Sequence, residues 1–190
     1  MPRTPDANLR DRILDAASAL WHKRGEKSLT LRAVAKAAGT TTPTVYKRFP
    51  DKEALVLALA SRVRERFAER VTSSQSLEEA ARVYLDLATA DPHEYRVAYG
   101  PHWPKIFTGR EDQPGLLWAE KRLAERHGGR PEDYSVLVVG LWLLLHGAAS
   151  LLSVHSKGPV AAGVRANCLA ACEKLVSKAK DFRNGSITTK

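Results

Sequence analysis

The stretch from Thr30 to Leu55, TLRAVAKAAGTTTPTVYKRFPDKEAL, constrains this chain more than any other. Leu31, Val34, Ala35 and Ala38 recur at helical spacing, which predicts a short amphipathic helix. Thr30 stands where an N-cap belongs, because a hydroxyl there accepts from the orphan N–H groups of the first turn. Gly39 stands where a helix ends in left-handed backbone. Pro43 is tolerated only in the first turn of a helix, so a second short helix starts at Thr41 or Thr42 and runs to Phe49, where Pro50 ends it. Asp51 then caps a third helix opening with Lys52 and Glu53. Two short helices joined by a tight glycine turn, the second carrying polar and basic residues, describe a helix-turn-helix.

The flanks extend the pattern. Leu9, Ile13, Ala16, Ala17, Leu20 and Trp21 form one apolar stripe of a helix that begins near Thr4 to Asp6 and ends at Gly25. After Asp51, Leu55, Leu59, Val63 and Phe67 repeat at i, i+4, while Arg62, Arg64, Arg66 and Arg70 alternate with acids and read as a solvated face. Charge is placed unevenly. Residues 1–70 hold 15 Lys/Arg against 8 Asp/Glu, a net +7, whereas residues 71–190 hold 15 against 13, a net +2. A basic first half points to a polyanion partner, or to a solubilising face if the motif is set aside.

Residue by residue, the stretch resembles the tetracycline-repressor (TetR) family of bacterial regulators. The matching features are Thr30, the small-residue run Ala35 to Gly39, Pro43-Thr44-Val45-Tyr46, a basic pair, Phe49, and Asp51-Lys52 before a Leu-rich helix. Upstream, Ile13 to Ala17, Leu20 and Gly25 also fit, so the resemblance covers roughly residues 8 to 67. Two positions depart from the pattern: Thr40 replaces an apolar β-branched residue, and Glu26 replaces an aromatic one. The resemblance implies a DNA-binding regulator, most often a repressor released from double-stranded operator DNA by a small-molecule effector. By match to the motif, Arg32, Thr42, Pro43, Thr44, Lys47 and Arg48 are candidates for base edges, and Thr30, Thr41, Tyr46 and Lys52 for phosphates. Arg48 stands where a His or aromatic residue is common, and arginine favours guanine. One short recognition helix contacts few bases, so a two-fold dimer on a partly palindromic operator is expected.

The second half reads as all-helical after a polar hinge at Thr72 to Ser76. Helices are expected over 77–90, 92–99, 116–127, 131–154 and 160–182, with a Pro/Gly-rich loop over 100–115. The fold class is therefore all-α: a DNA-binding domain over residues 1–54, an effector-binding and dimerisation domain over 55–183, and a mobile tail over 184–190.

Val136 to Val154 runs nineteen residues without a charge, long enough to span a bilayer. It contains His146, two serines and two glycines, and no basic cluster marks one side of it, so it reads as a buried helix instead. Gly140, Leu144, Gly147 and Leu151 share one face, suited to close approach by a partner subunit; Trp142, His146, Ala149 and Ser153 share the other. The family's last two long helices pair across a two-fold axis. The resemblance thus assigns Gly140, Gly147 and Leu151, with Val164, Cys168, Leu175 and Val176, to a homodimer surface. Trp142-x-x-x-His146-Gly147 also resembles a subgroup of such C-terminal domains named for Trp, His and Gly.

A small-molecule site lined by Tyr84, Tyr95, Tyr99, Trp103, Trp142 and His146 is implied by the family, with an unreadable ligand. From the residues alone, a filled core in which His146 bonds a backbone carbonyl serves equally. Cys168 and Cys172, one helical turn apart, read as small core hydrophobes, and with the histidines at 22, 93, 102, 127, 146 and 155 they show no metal-ligand spacing. No cofactor is expected. Nor is an enzyme: the chain offers no nucleophile–base set, phosphate loop or paired carboxylates. The start MPRTPDANLR lacks an apolar core, so with two cysteines the chain reads as cytoplasmic. A sequence-indifferent, nucleoid-type DNA binder is the alternative reading.

Overall fold

The computed structural model describes residues 8–100 and 113–183, and among these there is no strand. The helices are α1 (Leu9–Arg24), α2 (Leu31–Ala37), α3 (Thr42–Tyr46), α4 (Lys52–Thr72), α5 (Leu77–Ala90), α6 (Pro92–Tyr99), α7 (Pro114–His127), α8 (Ser135–Val154) and α9 (Pro159–Ser177). Single 3₁₀ turns cover Gly25–Ser28, Pro131–Tyr134 and Ala179–Phe182. The all-α expectation holds. Within the described residues the chain forms two compact units, 8–64 with 93–100, and 65–92 with 113–183. The two units divide within α4, between Arg64 and Glu65. The expected helix start at Thr4 to Asp6 and the tail over 184–190 lie outside the described residues.

In the first unit, Gly25 ends α1 at φ +64, and the Ser28 hydroxyl donates to the Leu20 and Gly25 carbonyls at 2.7 and 2.8 Å. Thr30 caps α2 as expected, its Oγ1 accepting from the Ala33 N–H at 3.1 Å. Gly39 takes φ +64, and no heavy atom lies within 4 Å of where its Cβ would stand. Backbone conformation, not crowding, therefore calls for glycine there. The Thr40 N–H reaches back to the Ala35 carbonyl at 2.9 Å and closes the end of α2.

The turn delivers the chain to Thr41, whose hydroxyl accepts from the Thr44 N–H at 3.3 Å and caps α3. Below it, Val34 and Val45 are both 0% exposed. Phe49 was expected to end this helix, yet α3 stops at Tyr46. The Arg48 and Phe49 N–H groups share the Val45 carbonyl, each at 2.9 Å, and Pro50 disfavours helical backbone at Phe49. Phe49 is buried, with the Arg10 guanidinium 5.7 Å from its ring centroid. Asp51 caps α4 through the Ala54 N–H at 2.7 Å, and Leu55, Leu59 and Val63 are buried along one face. Helix α6 belongs to this unit, where the Trp21 indole N–H donates to the His93 carbonyl at 2.7 Å.

In the second unit, α8 packs on α5, α7 and α9, and α5 also packs on α9. Arg165 pairs with Asp86 at 2.5 Å, linking α9 to α5, and Arg126 pairs with Glu78 at 2.9 Å, linking α7 to α5. Three expected boundaries shift. Helix α7 starts at Pro114, since proline is tolerated in a first turn. Helix α8 starts at Ser135, because a 3₁₀ turn comes first and buries Tyr134 with its hydroxyl donating to the Gly128 carbonyl at 2.5 Å. Helix α9 stops at Ser177 instead of continuing to Phe182; the tighter turn after it brings Ala179 into the core.

The turn at Gly39 makes the first prediction. Gly39→Ala should cost about 1–2 kcal/mol, the ordinary penalty for a left-handed non-glycine residue, despite the open space around it. Chemical denaturation of the two proteins side by side measures this.

Candidate functional site

The first unit presents its polar edge to solvent. Arg32 on α2 is exposed, as are Pro43, Lys47 and Arg48 around α3; Thr42 and Thr44 are half-exposed. These six candidates for base contact thus lie on α2 and on α3 with the turn that follows. Among the phosphate candidates, Thr30, Thr41, Tyr46 and Lys52 are all exposed, Tyr46 to 53%. Thr30 and Thr41 each accept from a backbone N–H as caps, and the Thr41 and Thr44 hydroxyl oxygens lie 2.8 Å apart. Hydroxyls so engaged keep the first turns of α2 and α3 closed. Lys52 is held by an acceptor that its own position in the sequence does not reveal. Its Nζ lies 3.2 Å from the Glu26 carboxylate and 3.3 Å from the Glu26 carbonyl. In the sequence, the signal of this contact is Glu26 standing where the family pattern has an aromatic residue.

The six aromatic and histidine positions expected to line one ligand site do not all fall in one unit. Tyr84, Trp142 and His146 form a cluster in the second. The Tyr84 hydroxyl is 3.2 Å from His146 Nδ1, and the Trp142 and His146 rings stack at 5.2 Å with 20° between planes. Tyr84 is buried, while Trp142 and His146 are half-buried. Burial holds the His146 imidazole below its ordinary value. His146 Nδ1 thus has a phenol as a hydrogen-bond partner. Tyr95 and Tyr99, with centroids 5.1 Å apart, sit on α6 in the first unit, and Trp103 lies outside the described residues.

The residues expected at a dimer surface also divide. Gly140, Gly147 and Leu151 lie on an exposed stripe of α8 that includes Val139, Leu143 and Val154, the last 66% exposed. Val164 and Leu175 are half-buried. Cys168 and Val176, at 5% and 3% exposed, are already covered within the subunit, which removes them from a partner surface. Cys168 and Cys172 are free thiols in the core, and burial pushes the Cys172 thiol up to about 12, so both behave as inert hydrophobes. Among the described residues no group of three or more His, Cys, Asp or Glu could hold a metal ion. Pro131–Val154 is long and apolar enough to cross a membrane by length and composition alone, with 33% of its most apolar window buried.

A capped helix-turn-helix with a solvent-facing basic edge, joined to a separate helical unit, defines the class of helix-turn-helix regulators. Residues 13–59 match the profile of bacterial regulatory proteins of the tetR family, and residues 77–167 match that of the tetracyclin repressor-like C-terminal domain. The two together span well over half of the sequence, and the chain belongs to the TetR family. An uncharacterised HTH-type transcriptional regulator of Mycobacterium tuberculosis is 36% identical over 81 residues, 42% of this chain and 40% of that protein. The HTH-type transcriptional repressor AcnR of Corynebacterium glutamicum is 35% identical over 88 residues, 46% of this chain and 44% of that protein. The chain thus spans less than half the length of these curated relatives. The crystal structure of a substituted TetR from Acinetobacter baumannii in complex with minocycline superposes with a TM-score of 0.66 at 18% identity, over 91% of this chain and 97% of that one, and shares its fold.

The histidines of the second unit carry a pH prediction. Burial lowers His146, and burial followed by the charges of Arg126 and Lys180 lowers His127. Both folded values lie below the unfolded one, so the unfolded chain takes up protons first as pH falls. Their contribution to stability is complete above the unfolded value near 6.5 and is lost as pH drops below it. Melting temperature should therefore fall between pH 7.5 and 5.5, and the fall should be smaller in the His127→Gln/His146→Gln double variant.

Proposed function

We propose that the chain is a homodimeric transcriptional repressor that binds a partly palindromic operator in double-stranded DNA and leaves it when a small molecule occupies the helical half. The observation that carries this reading is the exposed polar edge of α2 and α3 held over a buried Val34 and Val45. A rigid, capped short helix suits insertion in a major groove, where base edges carry a distinct donor and acceptor code. Arg32, Thr42, Pro43, Thr44, Lys47 and Arg48 read bases; Thr30, Thr41, Tyr46 and Lys52 hold phosphates and set the register. The net +7 of residues 1–70 suits attraction to DNA. A nucleoid-type binder needs charge but no fixed recognition helix, so the capped turn favours the sequence-reading protein.

Dimerisation uses the exposed stripe of α8. Neither Gly140 nor Gly147 has any heavy atom within 4 Å of a built Cβ, so the subunit itself has no packing need for glycine at either position. Glycine in a helix costs about 1 kcal/mol relative to alanine, and close approach of a second helix gives a reason for it. The half-buried Trp142 and His146 beside Tyr84 offer a stacking face and a polar handle for an effector. The minocycline complex of the structural neighbour supports a small-molecule ligand for this chain as well. Release requires only that the ligand bind one dimer geometry better than the other. Helix α4, which runs from the first unit into the second, is the covalent lever.

Two measurements test the reading. Sequencing duplexes retained from a random pool should return a two-fold symmetric site, and Arg48→Ala should relax one base position in each half at a cost of about 1–3 kcal/mol; an unchanged preferred sequence removes Arg48 from base readout. Sedimentation should show a dimer at micromolar concentration, and Gly147→Glu, which buries an unpaired charge costing about 3–5 kcal/mol, should give monomers.

A further inference from the structure

We infer that Glu26 is a built-in brake on DNA affinity, an autoinhibitory contact that occupies the ammonium of Lys52 and must yield before that lysine can serve a phosphate. The inference rests on the phosphate role proposed for Lys52 above. Lys52 Nζ has two acceptors, both supplied by Glu26: carboxylate Oε1 at 3.2 Å and the backbone carbonyl at 3.3 Å. A lysine ammonium has three donors, so one residue takes two of them. Asp51, just before the helix, has its own work: its carboxylate caps α4 by accepting from the Ala54 N–H at 2.7 Å. Glu26 is the anion that Lys52 pairs with.

The contact is mounted rather than incidental. Glu26 lies in the 3₁₀ turn Gly25–Ser28, which follows the left-handed Gly25. The Ser28 hydroxyl bonds to Leu20 and Gly25, and the Leu29 N–H donates to the same Glu26 carbonyl at 3.1 Å. The turn therefore holds the Glu26 carbonyl in place whatever the carboxylate does. Both side chains are reachable by a phosphate, at 44% exposed for Lys52 and 52% for Glu26.

A lysine paired with a carboxylate is already neutralised and gains less from a phosphate than a free one. Binding DNA then means exchanging one anion for another. Exposed ion pairs are weak, so the brake is a modest one. It lowers affinity for every sequence alike, because phosphate contacts carry no base information.

The test is a double-mutant cycle on the full-length protein, with Glu26→Gln, Lys52→Ala and the two combined. Binding is followed across a salt series to the pool-selected duplex and to a random-sequence duplex of equal length. Glu26→Gln should bind both duplexes roughly two- to five-fold more tightly, the range set by the strength of an exposed pair. The salt slope should steepen by up to about 0.9 per subunit as Lys52 becomes a full phosphate contact. In the Lys52→Ala background, Glu26→Gln should give no gain. A gain that survives in that background means that Glu26 acts by its own repulsion, and overturns the brake through Lys52. Weaker or unchanged binding by Glu26→Gln also overturns it, because Glu26 would then be orienting Lys52 or doing nothing. Wild type that binds while Lys52→Ala is just as tight removes the phosphate role of Lys52 and the brake with it. Wild type that binds neither duplex defeats the DNA-binding reading itself.

Discussion

The exposed edge of α2 and α3 depends on the left-handed residue at Gly39. A chain of L residues leaves a helix with its peptide groups aimed along the axis, and a reversal of φ is a common way to turn the next segment back across it. With Gly39 at φ +64, the Thr40 N–H can bond to Ala35, and Thr41 is placed to cap the next helix. Val34 and Val45 then close the small core from either side of the turn. The exposure of Lys47 and Arg48 goes with that geometry, since Val45, which anchors the helix just before them, is buried.

The second unit solves a different problem. A helix as apolar as α8 cannot stand against water on all sides, and its own subunit covers only one face, through Leu137, Val138, Leu141, Ala149 and Leu152. The rest, from Val139 to Val154, is exposed in an apolar stripe broken by glycines. Burial of apolar surface is worth about 25 cal/mol per Å², so such a stripe is a standing drive toward association. On the covered side His146 is paired with the Tyr84 hydroxyl, and an unpaired polar group in that setting is costly. The same kind of burial that lowers the His146 value raises those of Cys168 and Cys172.

Much of this was legible because it rests on local chemistry. A capping threonine, a glycine in left-handed backbone and a proline in a first turn each act over three or four residues. The helix-turn-helix could therefore be read from Thr30, Gly39 and Pro43 alone, and the stripes of α1 and α4 followed from their spacing. Helix ends were less legible. Those of α8 and α9 were decided by which residue the core accepts, as with Tyr134 and Ala179, and spacing does not carry that information.

The sequence by itself determined the class of fold, the recognition motif, the uneven charge and the two-faced character of the helix over 136–154, since each depends on neighbours within a turn or two. Only the tertiary structure decided which partners meet across long separations. It brought His93 to Trp21 and so gave α6 to the first unit, and it set Glu26 against Lys52. It gathered Tyr84, Trp142 and His146 while leaving Tyr95 and Tyr99 on another element, and it took Cys168 and Val176 inward. The physical reason is that such contacts depend on how helices cross and which side chains fill the space between them, and these are properties of the packed chain that no local pattern encodes.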